Sequence, residues 1–155
     1  MDTSVYRHTQ PGHLMRVTLL VMMVVSLATL TLVRAHLHGA PVVTITSLFV
    51  AGSMLLCLWL FNSMTVTVTD GRLMWSFGPG VIKRDIPLSE IVECKPVVNP
   101  WYYGWGIHFT PRGWLYNVSG FGAVEISLRN GSSCRIGTDS PQELAAAILQ
   151  ARNRS

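Results

Sequence analysis

Charge is what this sequence has least of. Asp, Glu, Lys and Arg make up only 13% of its 155 residues, about half the share of an ordinary soluble domain. The shortage is also local. Apart from Arg16, no charged residue lies between Leu14 and Val33, and none lies between Val42 and Phe61. Cysteine is scarce as well. Cys57, Cys94 and Cys134 form no CxxC pair, which argues against a disulfide framework and for reduced thiols. Groupings that carry chemistry are missing. Glu90, Glu93, Glu125 and Glu143 are dispersed, so no carboxylate pair stands out for acid–base work. His108 follows Ile107 in a strand pattern, which turns it to the surface, with no nucleophile in a recognised frame. His36 and His38 lack the further ligands a metal needs. The Gly-x-Gly runs at 78–80, 104–106 and 120–122 open no helix after a strand, so none reads as a phosphate loop. No enzyme, metal or cofactor is expected. Nucleic acid is not expected either. The net charge is +4, but after Phe61 nine Lys or Arg stand against seven acids and no basic face emerges.

What is present is apolar and ordered in long runs. Val42 to Phe61 has no charge over twenty residues, and eleven of them are Val, Ile, Leu or Phe. At about 1.5 Å per residue such a helix spans the roughly 30 Å of a bilayer core. Each of those side chains favours insertion by roughly 0.3–0.6 kcal/mol. Leu14 to Val33 is a second run, with Arg16 placed to snorkel toward headgroups. Arg34 to Pro41 is a short loop between them. The expectation is a transmembrane hairpin over 14–61, with helices at about 14–34 and 42–61, preceded by a polar, flexible arm over 1–13. Arg7, Arg16 and Arg72 flank one side of the hairpin and Arg34 the other. That bias puts both termini in the cytoplasm. A competing reading takes the first run and Val33-Arg34-Ala35 as a signal peptide. Neither run holds Asp, Glu or Lys, which argues against ion transport. Small residues at Ser26, Ala28, Thr29 and Ala51 to Ser53 suit packing within the hairpin or self-association.

From Asn62 the period changes to two. Met64, Val66 and Val68 alternate with threonines, and Asp70-Gly71 is a hairpin signal before Leu73, Trp75 and Phe77. Further strands are expected over 81–86, 91–98, around Ile107 and Phe109, over 114–118, 124–128 and 132–137, with a second hairpin signal at Asn130-Gly131. Ser140-Pro141-Gln142-Glu143 reads as a capping box. Leu144, Ala147, Ile148 and Ala151 then share one helical face.

About seven principal strands closed by one C-terminal helix is the order of a pleckstrin-homology-like (PH-like) barrel. Behind two spans, the chain resembles bacterial membrane proteins that carry a PH-like domain after a transmembrane hairpin. The likeness is carried by Asp85 to Ile91, by Gly106 to Phe109, and by the run Ala123 to Leu149. It implies an α+β membrane protein: a two-helix hairpin, then a PH-like β-barrel or sandwich over 62–155, capped by a helix. It also implies a binding module of the inner membrane rather than an enzyme. Relatives that bind phosphoinositides place several basic residues around a longer first hairpin loop. Asp70-Gly71 with Arg72 beside it is a poor cradle for a polyphosphate, so that property is not carried over.

Two groups of candidate residues follow. Trp101, Tyr102, Tyr103 and Trp105, with Trp114 further on, make the most unusual segment of the head. They either touch headgroups or a partner membrane protein, or fill the barrel end. Arg16, Arg72, Lys83 and Arg84 are candidates for lipid-headgroup contact, at about 1 kcal/mol each near an anionic surface. The function expected first is a membrane-anchored interaction module that assists assembly or regulation of a membrane complex. The alternatives are a sensor of anionic lipid and a membrane enzyme with an unrecognised site.

Overall fold

The computed structural model describes residues 5–36 and 41–154. Two long helices come early, α1 (His13–His36) and α2 (Pro41–Leu60). Each is strongly apolar, and Val43 is the one residue of the two that is buried; the helices pack on each other. Such a helix is not a core helix of a soluble domain. Both are long and apolar enough to cross a membrane. The hairpin loop includes residues 37–40, which lie outside the described residues, and with them His38.

The arm before α1 is not free. Tyr6–Pro11 is a strand, β1, and it pairs antiparallel with β2 (Ser63–Val68), from Tyr6 against Val68 to Pro11 against Ser63. The expectation of a flexible arm is corrected here for Tyr6–Pro11, which is a strand of the head's first sheet, while residues 1–4 lie outside the described residues. The two strands meet where the two helices begin and end. The helical pair is thus inserted into the connection of a β-hairpin, and strand pairing passes directly into helix pairing. The first hairpin of the head is therefore β1–β2, not the turn at Asp70-Gly71.

The junction is tight. Gly12 donates its N–H to the Asn62 carbonyl (2.9 Å), and Arg16 Nη2 donates to the same oxygen (3.1 Å). A Cβ on Gly12 would stand 2.6 Å from the Phe61 carbonyl oxygen. Gly78 lies as close to the end of α2, and a Cβ there would stand 2.5 Å from the Leu60 carbonyl oxygen. Phe61 packs edge-on against Phe77, with ring centroids 5.5 Å apart.

The head is α+β. Its first sheet has the order β1-β2-β3-β4, with β3 at Arg72–Phe77 and β4 at Ile82–Pro87. A turn of 3-10 helix, Leu88–Glu90, leads to the second sheet. That sheet contains β5 (Ile91–Val98), β6 (Gly106–Thr110), β7 (Gly113–Asn117), β8 (Gly122–Leu128) and β9 (Ser133–Gly137), in the order β5-β8-β9-β7-β6. Its pairs are antiparallel except β7 with β9, which run parallel. The hairpin β6–β7 is thus an insertion that returns to the far side of β9. The core lies between the sheets and under α3 (Pro141–Arg152), from Met64, Leu73 and Phe77 through Ile126 and Ile136 to Leu144 and Ile148.

Two local expectations change. Ser140 stands at the start of α3, but its side chain caps nothing; its N–H instead donates to Thr138 Oγ1. The helix is held by burial of Leu144, Ala145, Ala147, Ile148 and Ala151. Phe109, expected to face the core beside Ile107, is 71% exposed and packs edge-on against Trp114.

The close approach at Gly12 makes a specific demand. Gly12→Val should destabilise the full chain in detergent micelles by roughly 1–3 kcal/mol, the usual cost of overpacking. Gly52 has nothing within 4 Å, so thermal unfolding of Gly52→Ala should match the parent.

Candidate functional site

The aromatic segment is built on a buried ion pair. Arg135 on β9 and Glu125 on β8 face each other in register on the side of the second sheet away from the core. Arg135 Nε and Nη2 both donate to Glu125 Oε2, at 2.8 and 2.6 Å. Arg135 is 8% exposed and Glu125 7%. Two charges are not buried without further partners. Here Arg135 Nη1 donates to Asn99 Oδ1 (2.9 Å), the Tyr103 ring lies over the guanidinium at 5.8 Å, and Lys95 Nζ stands 3.6 Å from Glu125 Oε1. Burial alone would raise the Glu125 carboxyl. The hydrogen bonds and charge of Arg135 outweigh that and hold its pKa below the usual value.

The segment that covers this pair is the one rich in Trp and Tyr. Asn99 is buried, and its N–H donates to the Phe121 carbonyl (2.7 Å). Pro100 then opens a single 3-10 turn, Trp101–Tyr103, and the chain reverses at Gly104. Trp105 Nε1 donates to the Gly120 carbonyl (3.1 Å), which also accepts from Asn117 Nδ2 (3.1 Å). The Trp105 and Phe121 rings lie 6.1 Å apart. Tyr103 and Trp105 are therefore the inner members, half-buried and tied down. Trp101 (78% exposed) and Tyr102 (67%) are the outer ones, and they contact each other edge-on. The choice between packing and exposure divides within five residues.

This shelf borders the start of α1. The β7–β8 loop that anchors it also meets the helix: Gln10 Nε2 donates to the Ser119 carbonyl (2.9 Å), and the Leu14 N–H reaches Ser119 Oγ at 3.5 Å. The Met15 methyl lies beside Gly106. Trp114 is elsewhere, at the other end of β7.

The basic candidates do not converge. Arg16 sits at the helix junction. Arg72 is at the opposite end of β3 from the Phe77 that packs on Phe61, and it pairs with Asp85. Lys83 and Arg84 are exposed on β4, where successive side chains point to opposite faces. His108 is half-buried, opposite Leu115, rather than at the open surface. Cys57, Cys94 and Cys134 are unpaired. Burial pushes the Cys134 thiol up to about 11, which leaves it protonated and unreactive at neutral pH. Among the described residues, no group of three His, Cys, Asp or Glu is placed to hold a metal ion.

No protein-family model, curated protein or solved structure matches this chain.

The ion pair sets a pH signature. Because the folded Glu125 pKa is depressed, its stabilisation is fully present above the unfolded value of 4.5 and is lost as pH falls through the folded value. Glu125→Gln strands a buried guanidinium and should cost roughly 3–5 kcal/mol at pH 7. Urea unfolding followed by tryptophan fluorescence should show that loss, and a flatter dependence on pH below 4.5 than in the parent.

Proposed function

We propose that this chain is a non-enzymatic, two-span protein of the bacterial inner membrane whose head is an interaction module with both termini in the cytoplasm. The observation that carries the reading is the shelf. Trp101 and Tyr102 are held outward by a rigid base, next to the point where an apolar helical pair leaves the head. Exposed Trp and Tyr on rigid supports are the residues that dominate protein interfaces. Their position restricts a partner to one lying in or on the same membrane.

A PH-like ancestry for the head agrees with its layout. Without the inserted β6–β7 hairpin, seven strands remain, four in one sheet and three in the other, with one C-terminal helix. The helical pair would then occupy the first hairpin connection of the barrel.

A second reading has its own support. Trp and Tyr also favour the headgroup region of a bilayer, and the shelf borders the start of α1. The two readings differ in what touches Tyr102. A photo-crosslinking amino acid at position 102 of the full chain, in its native membrane, should give one protein adduct of defined mass. The same label at Leu149, exposed on α3, should not give it. Trp101→Ala should abolish the adduct while the thermal midpoint stays unchanged. Lipid adducts alone would favour the bilayer reading.

A further inference from the structure

The two sheets part along one side. α3 packs on β5, β8 and β2 and closes a flank of the sandwich. Among the described residues, no helix packs along β4 in the same way. β4 is one edge of the first sheet, and among the described residues no backbone hydrogen bond ties it to the second sheet or to a neighbouring loop. The seam is a cleft of about 460 Å³. Its walls are Ile82 and Ile86 from β4, Trp75 behind them, and Ile107, Tyr116 and Leu128 from the second sheet.

The row that β4 turns to this cleft is unusual. Ile82, Arg84 and Ile86 lie opposite Phe77, Trp75 and Leu73, the core-facing residues of β3. The edge therefore presents apolar, cation, apolar to the cleft. Tyr116, which lines the cleft with Arg84, is a neutral neighbour. The neighbouring carboxylate, Asp85, touches the cleft as well, but it pairs with Arg72.

We propose that β4 and this cleft accept an extended segment of a partner protein as an added strand, one whose cleft-facing row reads apolar, acidic, apolar. This rests on the reading of the head as an interaction module. An edge strand offers a row of unpaired N–H and C=O groups. An added strand uses them for affinity and uses pockets for alternate side chains for specificity. A directly opposed residue has its Cβ about 4.5–5.5 Å away, so a carboxylate facing Arg84 pairs with it. Two apolar neighbours then fill the space beside Ile82 and Ile86. A second copy of β4, set antiparallel in the register centred on residue 84, would bring Arg84 against Arg84, and like charges directly opposite are destabilising. Arg84 thus disfavours that self-pairing and favours an acidic strand. Phe109 and Trp114, both exposed and stacked edge-on at 5.8 Å, stand beside the cleft, and Trp114 lines it.

The test uses the full chain in lipid nanodiscs and a fluorescent, end-capped seven-residue peptide alternating Thr with Ile, Glu and Ile. Saturable binding by anisotropy is expected. It should weaken at least tenfold when the peptide Glu becomes Lys, and at least tenfold in Arg84→Glu. Arg84→Glu should in turn bind the Lys peptide better than the parent does. Lys83→Glu, on the other face of β4, should change binding less than twofold. N-methylation of alternate peptide nitrogens should abolish it. Equal binding of both peptides to parent and Arg84→Glu, indifference to N-methylation, or no saturation at millimolar peptide would overturn the proposal. Retained thermal midpoints show that the variants fold. A protein adduct at Tyr102 alongside failed peptide binding would sink only the cleft inference and leave the module reading standing.

Discussion

The structure depends on one seam, the pairing of β1 with β2. It does two things that are usually separate. It completes the first sheet by covering β2, and it joins the head to the helical pair through two chains rather than one. A single linker leaves a domain free to swing. Two antiparallel strands that run straight into two antiparallel helices leave no such freedom. The hydrogen bonds at Gly12, Arg16 and Asn62 remove the slack that remains. The same junction sets the aromatic shelf beside the start of α1, where Gln10 and Leu14 bond to Ser119.

The parts legible in the sequence were those written in local pattern. The two apolar runs became α1 and α2 within two residues of their expected limits. The alternation from Met64 onward became β2 and β3, joined by the two-residue turn at Asp70-Gly71. The helical face of Leu144, Ala147, Ile148 and Ala151 became the buried side of α3. β1 was not legible. Its residues, YRHTQP, include a proline and show no apolar alternation. Their conformation is imposed by β2, more than fifty residues further on, and a partner at that distance leaves no local mark.

The buried ion pair was hidden for a related reason. Glu125 and Arg135 occupy the outward positions of half-buried strands, where charged residues are ordinary. Only the segment folded over them makes them interior. A signal did exist, since the two face each other across the hairpin marked by Asn130-Gly131. Reading it needed the register. A two-residue turn would have offset the pair by one. The actual connection has three residues, Arg129 to Gly131, with Gly131 in the left-handed region (φ +81) and its N–H donating to the Leu128 carbonyl. That loop length sets Glu125 opposite Arg135. The shelf, the pair beneath it and the turn that aligns them are one device, spread over three stretches of sequence.

The placement of β1 ahead of both helices also bears on how such a chain is made. β1 leaves the ribosome before both helices, and its partner strand follows only after the entire helical pair. In a membrane, β1 and β2 share a compartment only if both helices cross or neither does. A chain that threads one helix and stalls would hold its first strand on one side of the bilayer and the rest of its sheet on the other. The head of such a chain would keep an open edge at β2, an exposed template for aggregation and for quality-control proteases. The closed sheet is thus incompatible with a chain that has threaded only one of its two helices.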